Sequence, residues 1–162
     1  MTNGTAQGVD FAIAAYREDG EWQVGAMPPR TADDLETLVK ALRQLPGDTG
    51  AMGMVSVDED HFVLARVQGA GVRLLLSDVT AATAWPLARS VVNHLGLPAP
   101  DDDEDYQPAG DMSILSDFGF PAMDLGALID DDDLYPDEML GNIADQAGFG
   151  TEFATVLETA AP

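Results

Sequence analysis

Short runs in which every second residue is apolar dominate the first half of the chain, and polar or glycine-containing turns separate them. Such alternation is typical of strands that turn one face toward a core. Asp19-Gly20, between the first two runs, is a strong signal for a tight hairpin. We therefore predict an antiparallel sheet built from residues 9–77. Its strands begin near Val9, Trp22, Met52, Phe62 and Val72.

Two stretches of the same half have helical spacing instead. The first covers residues 35–45, behind a Thr31–Asp34 pair that resembles a capping box. The second begins at Pro86, which suits the first turn of a helix. The resulting order, β-β-α-β-β-β-α, predicts an α+β fold in which the helices cover one face of the antiparallel sheet. In the last strand, the side that carries Arg73 is expected to be less buried than the side that carries Leu74.

From residue 108 onward the pattern changes to short helical groups of apolar residues. Glycine or proline separates these groups, as at Gly119, Pro136 and Gly148. Each group is shorter than the ~12–15 residues that an isolated helix needs for stability in water. We therefore expect these helices to pack on one another, on the sheet or on another protein.

Charge is distributed unevenly along the 162 residues. The chain has 7 basic and 29 acidic residues, a net charge of −22, and its last basic residue is Arg89. Residues 1–98 carry a net charge of −5, whereas residues 99–162 carry −17. Prolines followed by five consecutive acids mark residues 99–107 as an extended, mobile linker. We predict an α+β domain over residues 1–98, this acidic linker, and a small acidic all-α region over residues 108–162.

This composition excludes several classes of function. A surface this acidic repels phosphates, so we expect no direct binding of nucleic acid, and the chain lacks a polybasic membrane anchor. The absence of cysteine removes disulfides, thiolate nucleophiles and cysteine metal sites. No run resembles a signal peptide or approaches the ~18 apolar residues of a membrane span. We therefore expect a soluble, cytoplasmic protein.

Candidate catalytic or metal-binding motifs are few. Asp117-Phe118-Gly119 matches a kinase tripeptide, but the glycine-rich loop and the His-Arg-Asp segment are missing. We therefore expect Phe118 in a core and Gly119 at a helix end. His61 and His94 lack neighbours at metal-ligand spacing and are expected to be structural, and the acidic runs lack the pattern of a calcium loop. We expect no cofactor and no metal site.

Four blocks of the sequence are distinctive in combination: residues 55–60 (Val-Ser-Val-Asp-Glu-Asp), 72–88, 108–111 and 134–140 (Leu-Tyr-Pro-Asp-Glu-Met-Leu). Through these blocks the chain, from about Phe11 to Phe153, resembles the actinobacterial tRNA adenosine deaminase-associated protein family. The resemblance implies an association with the deaminase that converts adenosine to inosine in tRNA, and it carries over no catalytic residues. The chain itself lacks the H-x-E and P-C-x-x-C zinc-binding pattern of such a deaminase.

We therefore predict a non-enzymatic accessory or regulatory protein that binds a basic protein partner. The tRNA adenosine deaminase is the first candidate for this partner because of the resemblance. Acidic side chains would attract the partner, and apolar side chains would hold it. The predicted contact residues are Asp130, Asp131, Asp132, Asp133, Tyr135, Met139 and Phe149. The sequence leaves the oligomeric state open.

Two alternatives stay open. An acidic mimic of nucleic acid would use the same surface to occupy the basic groove of a tRNA- or DNA-binding protein, and tRNA would then compete with it. An enzyme could instead use two of the carboxylates of Asp58, Asp60 and Asp78 as acid and base, provided that their environments separate their pKa values. Because these three residues lie at turns and strand ends, exposure is the default expectation for them.

Overall fold

The computed structural model describes residues 8–46, 50–101, 105–131 and 133–160, which form six strands and five α-helices. The strands are β1 (Val9–Glu18), β2 (Glu21–Met27), β3 (Ala51–Val57), β4 (His61–Gln68), β5 (Gly71–Leu76) and β6 (Ala109–Gly110). The helices are α1 (Leu35–Arg43), α2 (Pro86–His94), α3 (Ala122–Ile129), α4 (Pro136–Ala147) and α5 (Gly150–Ala160). No helix in these ranges is both long and apolar enough to cross a membrane.

All six strands belong to one antiparallel sheet with the order β2-β1-β3-β4-β5-β6. The predicted α+β fold and its antiparallel sheet are thereby confirmed. At the β1–β2 hairpin, Asp19 and Gly20 have φ angles of 55° and 81°. Positive φ at both positions suits the tight turn that joins twisted strands, and glycine and aspartate tolerate it best.

Helices cover both faces of the sheet. On one face α1 and α2 bury the sheet side chains of a first core cluster, which includes Ala12, Val55 and Leu74. On the other face the segment from Ile114 onward, including α3, α4 and α5, packs on a second cluster that includes Phe62. The short C-terminal helices, each marginal alone, therefore gain their stability by packing on the sheet and on one another.

This double covering explains the burial of β5. Arg73 is 36% exposed and Leu74 only 2%, which agrees with the predicted difference at this pair. Leu75 lies on the same side as Arg73, however, and it is fully buried. The C-terminal helices cover this side, so the lower burial of Arg73 is a feature of that position and does not extend along the strand.

The short strand β6 brings the chain back to the sheet after the acidic run. Ala109 pairs with Leu76 at the free edge of β5. Gly110 has a φ of 117°, and a Cβ at this position would collide with the carbonyl oxygen of Leu74, so only glycine fits. Residues 102–104 of the predicted linker lie outside the described residues. The predicted division of the chain into residues 1–98, 99–107 and 108–162 stays a prediction.

The first helix begins at Leu35, where the helical spacing begins, but its N-cap is Asp34 and not Thr31. Thr31 lies in a 3₁₀ turn, Pro29–Ala32, and Asp34 is the N-cap of α1, with its carboxylate accepting a 2.8 Å hydrogen bond from the Thr37 amide. Aspartate and threonine are both good caps, so their spacing alone does not decide between them. Pro86 occupies the first turn of α2, as predicted.

Candidate functional site

Two arginines on neighbouring strands fasten the C-terminal segment to the sheet. Arg66 of β4 and Arg73 of β5 are direct cross-strand partners. Only 3% of the Arg66 side chain is exposed, and its guanidinium donates hydrogen bonds of 2.7 and 3.0 Å to the two carboxylate oxygens of Asp117. A further bond of 2.6 Å reaches the carbonyl oxygen of Ile114. Because a buried cation needs such partners, this pairing fixes the chain at residues 114–117.

Arg73 holds the beginning of the same segment. Its Nε donates a 2.7 Å hydrogen bond to Asp111, and its Nη2 donates one of 2.8 Å to the carbonyl oxygen of Ser113. Partial burial alone would raise the pKa of Asp111, but the hydrogen bonds from Arg73 and from the Ser113 amide outweigh it and lower that pKa. The hydrogen bonds from Arg66 likewise lower the pKa of Asp117. These two acids are therefore engaged within the fold.

The tripeptide Asp117-Phe118-Gly119 has a structural role in this anchor. The ring centre of Phe118 lies 4.4 Å from the guanidinium carbon of Arg66 and 5.3 Å from the ring centre of Trp22. Gly119 has a φ of 85° and ends the 3₁₀ turn Ser116–Phe118. Phe118 is half-buried against the second core cluster. The aspartate that would bind a metal in a kinase is here bound to Arg66.

The predicted acidic contact residues lie in the loop between α3 and α4. Asp130, Asp131 and Asp133 are exposed, and the carboxylate of Asp131 accepts a 2.9 Å hydrogen bond from the Asp133 amide. Asp132 lies outside the described residues. Tyr135, at the N-terminus of α4, is 61% exposed. The structure thus places this part of the predicted contact set on the surface.

Met139 and Phe149 belong to the core instead. Met139 is 8% exposed, and Phe149 is fully buried with its ring centre 4.5 Å from that of Trp22. Neither side chain is available to a partner in this fold. Met123, at the start of α3, is by contrast 84% exposed. The exposed apolar side chains that flank the acidic loop in sequence are therefore Met123 and Tyr135.

The surface formed by α3, α4, α5 and the loop between α3 and α4, here called the acidic surface, has no lysine or arginine of its own, because none follows Arg89 in the chain. Its other acids are Asp124, Asp137, Glu138, Asp145, Glu152 and Glu158. Among the described residues, the carboxylates of the C-terminal segment that form ion pairs with arginine are Asp111 and Asp117. An uncompensated field of one sign attracts a partner of the opposite sign.

A second group of titratable residues lies at the end of the sheet where β4 begins. His61 is fully buried, its Nδ1 lies 3.0 Å from a carboxylate oxygen of Asp60, and its Nε2 has no hydrogen-bond partner. Burial lowers the pKa of His61 and outweighs the opposing effects of Asp60, Asp78 and Asp58. Burial therefore disfavours the protonated form of this imidazole.

Asp78, just beyond β5, is also buried and serves as a cap. Its carboxylate accepts hydrogen bonds of 3.0 Å from the Thr80 amide and 2.7 Å from the Thr80 hydroxyl, at the start of the 3₁₀ turn Val79–Thr83. Burial raises the pKa of Asp78 and outweighs these hydrogen bonds, which would lower it. Tyr106 donates a 3.0 Å hydrogen bond to the carbonyl oxygen of Asp60, and burial raises its pKa to about 12.

Two of the three carboxylates that an enzyme could use as acid and base have structural partners. Asp60 contacts His61, and Asp78 caps a turn, while Asp58 is exposed at a turn position with a φ of 53°. Within the described ranges, no three histidine, aspartate or glutamate side chains are grouped closely enough to hold a metal ion.

The buried neutral His61 makes stability depend on pH. Below its ordinary pKa of 6.5 the unfolded chain takes up a proton that the folded chain refuses, so the free energy of unfolding falls as pH drops from 7 toward 5. The slope from this single group is at most about 1.4 kcal/mol per pH unit. In a His61→Phe variant, urea unfolding followed at several pH values should show a smaller decline over this window.

The exposed His94 provides the matched control. A His94→Gln variant should keep the wild-type decline between pH 7 and 5. Asp78 acts in the opposite direction at lower pH, because its raised pKa lets the folded chain take up a proton first and gain stability as pH falls toward 4. An identical decline in wild type and His61→Phe would show that His61 is not the group responsible.

Comparisons with known proteins now place the chain in a family. The family model described as "Rv3753c-like tRNA adenosine deaminase-associated protein" matches residues 10–150. Protein Rv3753c of Mycobacterium tuberculosis (strain ATCC 25618 / H37Rv) is 38% identical over 151 residues, which cover 91% of this chain and 87% of that protein. No solved structure matches the chain. The chain therefore belongs to the Rv3753c-like tRNA adenosine deaminase-associated protein family.

Proposed function

We propose that this protein is a non-enzymatic accessory protein that binds a basic protein partner through its acidic surface, and that the partner is the tRNA adenosine deaminase. The observation that carries the proposal is the acidic surface itself, on which Asp130, Asp131 and Asp133 are exposed close to the exposed Tyr135 and form no ion pair within the described part of the chain. The family description, which names an association with this deaminase, supports the choice of partner.

Charge explains why such partners would meet. An enzyme that binds tRNA carries a positive groove, because it must neutralise phosphates. Opposite fields of this kind raise association rates by up to ~10³-fold. Charges at the rim of an interface mainly set this rate and its salt dependence, while buried aromatic and apolar anchors hold the complex. Tyr135 and Met123 are the exposed side chains that can supply such anchors.

The contacts of the candidate acid–base residues support a non-catalytic role. Asp78 caps a turn through Thr80, and the buried His61 contacts Asp60. The chain has no cysteine, so it cannot supply the thiolate ligands of a zinc deaminase. An accessory role needs none of these groups to react, and their contacts within the fold agree with that role.

The proposal is tested by mixing the purified deaminase with this protein and measuring affinity as salt is raised from 50 mM. We expect a complex that weakens steeply with salt, and at least a tenfold loss of affinity when the four aspartates at positions 130–133 become asparagine. The loss should lie mostly in the association rate. Tyr135→Ala should instead speed dissociation.

A matched control removes four exposed acids outside the acidic surface. The substitutions are Glu21→Gln, Asp33→Asn, Glu36→Gln and Glu59→Gln. This variant has the same net charge as the variant at positions 130–133 and should keep near wild-type affinity. Absence of a complex at 50 mM salt would overturn the proposed partner, and equal losses in the two variants would overturn the proposed surface.

The nucleic-acid mimic stays the second candidate, because the run of four aspartates at positions 130–133 presents closely spaced negative charges like those of a phosphate backbone. In this case tRNA should compete with the protein for the deaminase, and the protein should inhibit deamination. A complex that forms equally well with and without bound tRNA would favour the plain accessory role.

A further inference from the structure

A groove opens between α1 and α2, on the face of the sheet opposite the acidic surface. Its volume is about 840 Å³. Leu35 and Val39 of α1 and Val72 of β5 supply its apolar part, and Ser90 and Asn93 of α2 line the other side. Val39 and Val72 are only half-buried, so apolar surface on this face is left open to solvent.

The basic residues of this groove set it apart from the rest of the chain. Lys40, Arg43 and His94 line it, and Glu36 is the one acid among the described residues that line it. Arg43 is exposed, and its Nη2 donates a 3.1 Å hydrogen bond to the carbonyl oxygen of Ala70. In a protein with a net charge of −22, two of the seven basic residues thus lie together beside exposed apolar surface.

Cations in the last turn of a helix also offset the negative end of the helix dipole, and Lys40 and Arg43 do so in α1. That role does not require an open apolar groove between the two helices. A groove with an apolar floor and cations at its rim is complementary to a peptide segment that has apolar side chains on one face and carboxylates on the other.

We propose that the α1–α2 groove binds a short acidic, amphipathic peptide segment of another protein. Its apolar side chains would pack on Val39 and Val72, and its carboxylates would pair with Lys40 and Arg43. Charge complementarity selects this occupant, because Lys40 and Arg43 lie together at this groove in a chain whose net charge of −22 otherwise repels an acidic segment. The two faces of the sheet would then carry opposite specificities, one for a basic partner and one for an acidic segment.

The test uses a fluorescein-labelled twelve-residue peptide with leucines at helical spacing and glutamates between them. Fluorescence anisotropy at 50 mM salt should show binding, and the same peptide with glutamine in place of glutamate should bind at least tenfold more weakly. Amide chemical-shift changes should centre on residues 35–44 and 90–94. Shifts centred on the acidic surface would overturn the proposal.

Two variants with the same change in net charge isolate the site. Lys40→Glu should weaken binding of the glutamate peptide about tenfold. Arg30→Glu, at an exposed position outside the groove, should leave it unchanged. Equal effects of the two variants would mean that only the net charge matters and would overturn the proposal. Val39→Ser removes part of the apolar floor and should weaken binding of both peptides.

Sedimentation velocity distinguishes the other possible occupant, a second copy of this chain. A wild-type monomer at the concentrations used for binding is the expected result. A dimer that Lys40→Glu dissociates, and that Arg30→Glu leaves intact, would assign the groove to self-association and overturn the peptide proposal. This test does not involve the deaminase, so its outcome is independent of the proposed function.

Discussion

A Phe149→Ala variant is expected to lose about 3–5 kcal/mol of unfolding free energy, as truncation of a fully buried aromatic ring does. Phe149 has no exposed surface, and its ring packs on Trp22 of β2 in the second core cluster. The loss should appear in urea unfolding as a lower midpoint with an unchanged slope. Tyr135→Ala is the matched control, because this ring is 61% exposed and its removal should change stability by less than about 0.5 kcal/mol.

The same measurement tests how the chain is divided. A single unfolding transition that Phe149→Ala shifts as a whole would mean that the C-terminal helices and the sheet unfold together. If residues 1–98 are an independent domain, two transitions should appear, and the substitution should move only one of them. Equal stability of Phe149→Ala and Tyr135→Ala would contradict the packing of Phe149 against the sheet.

The second large effect is expected at the Arg66–Asp117 ion pair. In an Asp117→Ala variant, the buried guanidinium of Arg66 keeps its contacts with the Ile114 carbonyl oxygen and the Phe118 ring but loses its carboxylate. The free energy of unfolding should therefore fall by about 2–3 kcal/mol. This is below the cost of breaking a fully buried pair, because Asp117 is 53% exposed and water reaches its side of the contact. Chemical unfolding at pH 7 measures the difference.

Arg66→Met provides the informative comparison. It removes the buried charge together with the ion pair and keeps an unbranched side chain beside Phe118, so it should cost only about 1 kcal/mol. Asp124→Ala, which removes an exposed acid from the first turn of α3, should have a smaller effect still. A larger loss in Arg66→Met than in Asp117→Ala would contradict the view that the uncompensated cation is the costly species.

The parts of the fold that local signals encode were predictable. Alternation located β1 to β5, Asp19-Gly20 marked a hairpin whose two residues adopt positive φ, and Pro86 marked the start of α2. Each of these signals acts within a few residues, where backbone preference and side-chain periodicity decide the structure. The two-residue strand β6 is too short to produce any alternation and was not predicted.

The parts that depend on distant contacts were not predictable. Arg66 and Asp117 are 51 residues apart, and nothing in the local pattern of either residue indicates the other. Helical spacing identified Met139 as part of an apolar stripe, but spacing does not say whether that stripe covers the sheet or a partner. Asp130 and Asp131 are exposed, as charge and loop position favour regardless of packing, and their predicted contact with a partner stays a prediction.

The covering of the second face of the sheet by the last helices sets the order of events during synthesis. The final strand of the sheet ends at Gly110, and the segment that covers its second face extends to residue 160. At about 5–20 residues per second, a ribosome needs about 3–10 s to add these 50 residues. Any sheet that forms before this segment is complete exposes one apolar face during this interval. The aspartates that follow β5 emerge from the ribosome during the same interval. Because like charges repel, these aspartates oppose association between neighbouring nascent chains while the apolar face is exposed.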